Sequence, residues 1–217
     1  RMAQELDTGR MQVLLVAAKN ELISDATEPL RWAGGRPTIL EAEPFALQAT
    51  LHEAGYLEGD DPVAALQIGF HATDCTLFSH GDFETNRSLH TGGKTYVEEL
   101  IRQLGVTFER AAGILARAQR TEEEQHALET IARKMADKLA DQVERAMPEY
   151  FGAGAERHVG KIVLCGGGAN LPLLEAALRQ KFGVDVEVVN PFRHFEINKQ
   201  AVDGALAQNA PQFATSV

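Results

Sequence analysis

Apolar residues recur along this chain in two rhythms, and the change from one to the other divides it. Val63 to Ile68 is a continuous apolar run broken only by Gln67, and Thr73 to Ser79 follows it after a glycine turn. Such short β-branched runs bounded by turn residues predict buried strands. Gly81-Asp82 turns the chain again and Phe83 to Leu89 returns, so this stretch reads as a three-strand antiparallel meander. After Gly92-Gly93 the rhythm changes. Tyr96, Val97, Leu100, Ile101 and Leu104 share one helical face, and Gly105 closes that helix. Thr107 caps a helix to about Ala118. Thr121 starts a long one to Met147, with Leu128, Ile131, Met135, Leu139 and Val143 at three- and four-residue spacing. Glu122 to Glu124 place negative charge at its N-terminus, where the helix dipole favours it.

The two ends read more simply. Residues 1–11 form a frayed polar start, and Gln12 to Ala18 a buried strand. Asn20 caps a helix to about Ala33, stopped by Gly34-Gly35, with Pro29 expected to kink or split it. Pro37 to Ala42 is expected as a second strand, which makes a β-α-β unit and a parallel pair. Pro44 starts a helix to about Glu53. The acidic, glycine-rich stretch up to Pro62 marks a boundary. Beyond Pro148 and the run GAGAE come a strand at Lys161 to Cys165, a helix at Pro172 to Phe182 and a strand at Val184 to Val189. A helix capped by Asn198 runs through Ala207 before a loose tail.

Composition narrows the function classes. The chain has 217 residues and a formal net charge of −10, which argues against nucleic acid. Its longest apolar run, Val13 to Ala18, falls far short of the ~20 residues a membrane span needs. Cys75 and Cys165 sit in apolar stretches and read as buried thiols. His71, His80 and His90 fit no familiar metal-ligand spacing. Arg1 stands where an initiating Met would, which points to a fragment or a processed chain.

Three glycine segments carry candidate chemistry. In Leu66-Gln67-Ile68-Gly69-Phe70-His71-Ala72-Thr73 a buried strand ends in a turn whose backbone N–H groups can face phosphate oxygens. In Lys161 to Pro172 a strand runs into Gly166, Gly167 and Gly168 and then towards a helix, so backbone can approach a ligand closely. No Lys-Ser/Thr pair follows these glycines, which excludes a Walker loop. Thr91-Gly92-Gly93-Lys94 also has a phosphate-loop look, and a bend before a helix needs the same residues. A tight turn likewise explains the first two segments without any ligand.

In order, the segments VLLVAAK, PTILEAEPFAL, LQIGFHATDCTLFSHGDFETNRSLHTGGKTYVEELIRQLG, KIVLCGGGANLPLLEAAL, VEVVNPF and AVDGALAQN resemble the actin-like ATPase superfamily, from about Val13 to Asn209. They resemble most closely its type IV pilus assembly family, PilM, and next the cell-division relative FtsA. The resemblance implies an α/β, actin-like (ribonuclease H-like) mixed sheet flanked by helices, comprising the C-terminal lobe and part of a pilus-specific subdomain. It divides the chain into the end of a small β-α-β subdomain (12–43), a last first-lobe helix with its connector (44–60), the second-lobe core (61–93 and 158–210) and a helical subdomain (94–157).

The same resemblance places a second phosphate loop at Gln67, Gly69 and Thr73, and an adenosine loop at Gly166, Gly167, Gly168 and Asn170. It places Lys94 and Glu98 on a helix beside base and ribose, and Gly204 in a second connecting segment. It implies ATP with Mg2+, a partner in the cytoplasmic tail of the inner-membrane protein PilN, and other pilus platform proteins. A cytoplasmic position peripheral to the inner membrane and a possible homo-oligomer go with these. Two departures qualify it. The family's usual Asp stands as Gln67, and an amide lacks the charge that helps place magnesium and water, so hydrolysis is expected to be weak or absent. No segment with an Asp-x-Gly first phosphate loop precedes Val13, so half the nucleotide cleft is expected to be missing. The alternatives are an active ATPase, with Asp74 and Asp203 as further acidic candidates, and an FtsA-like protein. The C-terminal QNAPQFATSV is neither amphipathic nor basic, against a membrane-touching tail.

Overall fold

A computed structural model describes residues 3–6, 10–13, 15–117, 119–152, 154, 158–196 and 209–215. Contacts divide the chain into two compact units, Arg1–Ala42 and Glu43–Val217.

In the first unit, β1 (Ala3–Leu6) and β2 (Arg10–Val13) pair as an antiparallel hairpin, with Ala3 opposite Val13. The expected polar start is therefore strand, and the strand expected at Gln12 to Ala18 ends at Val13. Residues 15–19 form no regular element, and Leu15 is 86% exposed. An apolar run becomes a buried strand only where neighbours pair with it, and no described residue pairs with 15–18. The same holds for Pro37 to Ala42, which forms no strand, so the expected parallel β-α-β pair is absent among the described residues. Helix α1 (Asn20–Trp32) starts from Lys19, so Asn20 is its first residue and not its cap. It runs through Pro29 as one helix, with Pro29 only three residues from its end, so little helix remains beyond the proline to be redirected. Gly35 N–H then donates to Leu30 O at 2.8 Å and closes it.

The second unit is built on a five-stranded mixed sheet in the order β5-β4-β3-β6-β7. Its strands are β3 (Val63–Ile68), β4 (Thr73–Ser79), β5 (Asp82–Leu89), β6 (Lys161–Cys165) and β7 (Asp185–Val188). The meander β3-β4-β5 is antiparallel, and β3 and β6 run parallel side by side. Alternation assigns the two faces. Ala64, Leu66, Ile68, Ile162 and Leu164 point into a core made with the helices α3 (Gly93–Leu104), α4 (Phe108–Ala116), α5 (Glu122–Ala146) and α7 (Leu174–Phe182). Val63, Ala65, Val163 and Cys165 point the other way, onto Leu47 and Leu51 of α2 (Glu43–Glu53).

The expected helices form for local reasons. Thr107 Oγ1 accepts from Arg110 N–H, and Thr121 and Glu124 form a reciprocal capping box at the start of α5. Pro148 starts a short helix, α6 (Pro148–Phe151), in place of the expected plain link, and Tyr150 is buried there. The tail is not loose over its described part. Ala210–Phe213 makes a 3-10 turn with Ala210 and Pro211 buried, because Pro211 O takes the Gly166 N–H at 2.8 Å. The helix expected at Asn198 to Ala207 lies outside the described residues.

Glu99 ties α3 to α5. Its carboxylate accepts from Arg102 Nε at 3.1 Å, from Lys134 Nζ at 2.8 Å and from Gln103 Nε2 at 3.3 Å. The Arg102 hydrogen bonds first, and those from Lys134 next, hold its carboxyl down to about 2 from the ordinary 4.5. A depressed carboxyl stabilises the fold fully above its unfolded value, and that stability is lost as pH falls from 4.5 through about 2. Arg102 and Lys134 are 66% and 62% exposed, so screening reduces the contribution to about 1 kcal/mol. Glu99→Gln should therefore cost about that much at neutral pH, with the gap closing towards pH 2. Urea titrations over a pH series check it, and a gap independent of pH would refute it.

Candidate functional site

Parallel strands with helices on both faces gather loops at their C-terminal ends, and that edge of the sheet is where such folds hold ligands. Here β3 and β6 both end in glycine turns at the same edge, with Gln67 opposite Cys165 in the ladder. The first turn is the hairpin loop 69–72, closed by Gly69 N–H donating to Ala72 O at 2.9 Å. The second runs from Gly166 through the 3-10 turn Gly167–Asn170. The helix expected from Pro172 starts only at Leu174, because Leu173 is left-handed with φ 63°.

The two turns are fitted together by missing side chains. A Cβ on Gly166 would lie 2.7 Å from Ile68 O, and one on Gly168 would lie 2.3 Å from Ile68 Cγ2. Gly167 is exposed, and a Cβ there would come no closer than 3.9 Å to the Gln212 side chain. Asn170, at the end of the turn, is exposed as well.

The Thr91 to Lys94 segment docks on the hairpin loop. Gly93 N–H donates to Gly69 O at 2.9 Å and Lys94 N–H to Phe70 O at 2.7 Å. Those two donors, candidates for a phosphate on sequence grounds, are spent on the protein's own carbonyls, as the Gly69 N–H is on Ala72 O. Thr73 is buried and gives its hydroxyl to Thr91 O at 2.7 Å. Lys94 and Glu98 lie on the exposed side of α3, with Nζ 3.6 Å from Oε1. Tyr96 on the same helix is fully buried, and its hydroxyl meets Pro172 O just past the glycine turn.

Gln67 shares its face of β3 with Val63 and Ala65, and so looks towards α2. Its Nε2 donates to Oε1 of Glu43, the first residue of α2. Asp74 is directly opposite Gln67 on β4, so its side chain rises from the same face. Cys165 lies beneath, and burial first, then the Glu43 charge, pushes its thiol up. Cys75, also buried, is pushed up to about 12 by burial and then by Asp74. Sequence reasoning misses Glu43. The available signal is an acidic residue directly before Pro44 at a helix start, where the dipole favours a carboxylate. Gly204 and Asp203 lie outside the described residues.

The Glu43 and Asp74 carboxylates and the Gln67 amide oxygen are hard donors of the kind Mg2+ takes, and the exposed Gly167 leaves its backbone open to a ligand. Among the described residues, no group of three or more His, Cys, Asp or Glu could hold a metal by itself. No helix there is long and apolar enough to cross a membrane.

The fold is that of the actin-like proteins. The structure of MreB 5 of Spiroplasma citri bound to AMPPNP matches with a TM-score of 0.55 at 18% identity, over 92% of this chain and 63% of that one. The ethanolamine utilization protein EutJ from Carboxydothermus hydrogenoformans matches at 0.65 and 18%, over 91% and 60%. The PilM-PilN type IV pilus biogenesis complex matches at 0.72 and 24%, over 91% and 56%. Within this fold the chain belongs to the type IV pilus assembly protein PilM family, whose sequence profile matches residues 2–217. It spans between 56% and 63% of the length of the three solved chains.

Proposed function

We propose that this chain is part of a cytoplasmic scaffold of type IV pilus assembly, which binds ATP with Mg2+ and holds the tail of a PilN-like inner-membrane protein. One observation carries the nucleotide reading: β3 and β6, parallel neighbours, end together in glycine turns at one edge of the sheet, where Gly167 is exposed and a Cβ would come no closer than 3.9 Å to another side chain. In this reading Gly69 and Gln67 lie beside the phosphates, and Gly166, Gly167, Gly168 and Asn170 beside the adenosine. Lys94 and Glu98 form the rim. Thr73 acts from below, fixing the hairpin through Thr91. Mg2+, when bound, would screen the phosphate charge, and Glu43, held by Gln67, is the carboxylate that would face it.

Family membership supports the tail as partner, and so does the likeness to a PilM solved in complex with PilN. The apolar surface of the first unit agrees, with Leu22, Leu30, Trp32 and Ile39 being 61%, 54%, 78% and 83% exposed. Hydrolysis is weak or absent in this reading. The active-ATPase alternative gains from one observation, the carboxylates of Glu43 and Asp74 on the Gln67 face.

Two titrations test the proposal. Mg-ATP is titrated calorimetrically into this chain and into the longest natural protein that contains it, with Gly167→Val as control. Binding that the control loses supports the cradle. No binding by either form refutes it. A PilN-like tail peptide is titrated against Trp32, the single tryptophan, whose emission should shift to the blue as the peptide covers it. Unchanged emission refutes docking on that surface. Phosphate release above the Gly167→Val background would favour the ATPase.

A further inference from the structure

We infer that Gln67 is a positioning residue for the Glu43 carboxylate, and that its neutrality sets how strongly nucleotide binding depends on magnesium. The second half rests on the nucleotide reading above, and the first does not.

Three acceptor-bearing side chains meet at this end of β3. Glu43 begins α2, Asp74 faces Gln67 across the β3-β4 ladder, and Gln67 stands between them. A glutamine amide has two N–H donors and one carbonyl acceptor, whereas a carboxylate has acceptors alone. Gln67 uses a donor of Nε2 on Glu43 Oε1. That contact needs an amide, since a carboxylate at position 67 would face Glu43 with like charge. It also holds one oxygen of Glu43.

The contact joins two separate pieces of backbone, the start of α2 and the end of β3. Phe45, Leu47 and Leu51 hold α2 against the sheet, so its first residue is placed before any ligand arrives. The amide adds the last constraint, on side-chain rotation of a carboxylate that is exposed to water. A triphosphate at the glycine turns would meet two negative side chains, Glu43 and Asp74. With a carboxylate at 67 it would meet three. The neutral amide thus lowers the repulsion that a cation must otherwise offset.

The test has two independent arms on the intact chain. The first needs no nucleotide: the side-chain amide resonances of Gln67 are followed by 15N NMR in the parent and in Glu43→Ala. Loss of the bond should move them to solvent-like positions and speed their exchange. Unmoved resonances overturn the positioning role. The second arm measures ATP affinity in EDTA and in Mg2+ for the parent, Gln67→Leu and the isosteric Gln67→Glu. The added charge should weaken binding about tenfold in EDTA, with most of the loss recovered in Mg2+. Gln67→Leu should show no such dependence on the cation. Equal losses in both solutions, or none, overturn the electrostatic half. If no form binds ATP while the amide resonances respond to Glu43→Ala, the nucleotide reading falls and the positioning role stands.

Discussion

Gly166→Ala should cost about 4 kcal/mol of stability, whereas Gly167→Ala one residue later should cost under about 0.5 kcal/mol. Two terms add at Gly166. Its backbone lies at φ 79° and ψ 173°, a region essentially reserved for glycine, and strain there costs about 1–3 kcal/mol. A Cβ would also lie 2.7 Å from Ile68 O and 3.1 Å from Ile68 N and C. Those are backbone atoms at the end of the central strand β3, held by its ladder to β4, and cannot step aside, so overpacking adds about 1–3 kcal/mol. Gly167 has neither burden, being exposed with no atom nearer than 3.9 Å to a built Cβ. Denaturation midpoints for the two variants give the comparison directly. A loss under about 1 kcal/mol at Gly166 would mean that the turn yields, and that its shape is not fixed by β3. The contrast also separates scaffold from site: a substitution at 166 removes the fold beneath the cradle, and one at 167 leaves the fold and alters the surface a ligand would meet.

The strands and helices of the second unit are legible because each is specified locally. Val63 to Ile68, Thr73 to Ser79 and Lys161 to Cys165 agree with the structure residue for residue, since apolar runs between turn signals leave little choice. Thr107 and Thr121 announce their helices by capping chemistry. The first unit departs from expectation for the complementary reason. Leu15 to Ala18 and Pro37 to Ala42 have strand composition, and a strand also needs a partner, which composition does not encode. At the candidate site the glycine positions are legible, and their division of labour is not. Gly166 and Gly168 face Ile68 and Gly167 faces outward, a distinction made by packing across the sheet. The Gln67–Glu43 contact is hidden for the same reason. It joins residues 24 apart, and their meeting depends on which face of β3 receives α2.

Gly92→Ala should cost about 3 kcal/mol, although nothing in its backbone angles forbids a side chain. Gly92 is extended, at φ −151° and ψ −172°, so the whole effect is steric. A Cβ would lie 2.7 Å from both Gly69 O and Phe70 O and 2.8 Å from Ala72 N, three backbone atoms of the hairpin loop. The start of α3 would have to lift away. Lifting it breaks Gly93 N–H to Gly69 O and Lys94 N–H to Phe70 O, each worth about 1 kcal/mol net. Hydrogen exchange at the Gly93 and Lys94 amides should quicken together with the fall in the denaturation midpoint. A variant with unchanged exchange and stability would show that the loop moves as one with the helix. Binding distinguishes the roles of the two glycine segments. If Thr91 to Lys94 is scaffold, Gly92→Ala should lower Mg-ATP binding only through the loss of folded protein, and folded-state affinity should return to the parent value under stabilising conditions. Gly167→Val should behave in the opposite way, with full stability and lost affinity. Affinity lost at Gly92 beyond the unfolded fraction would instead give that segment a direct part in holding the phosphates.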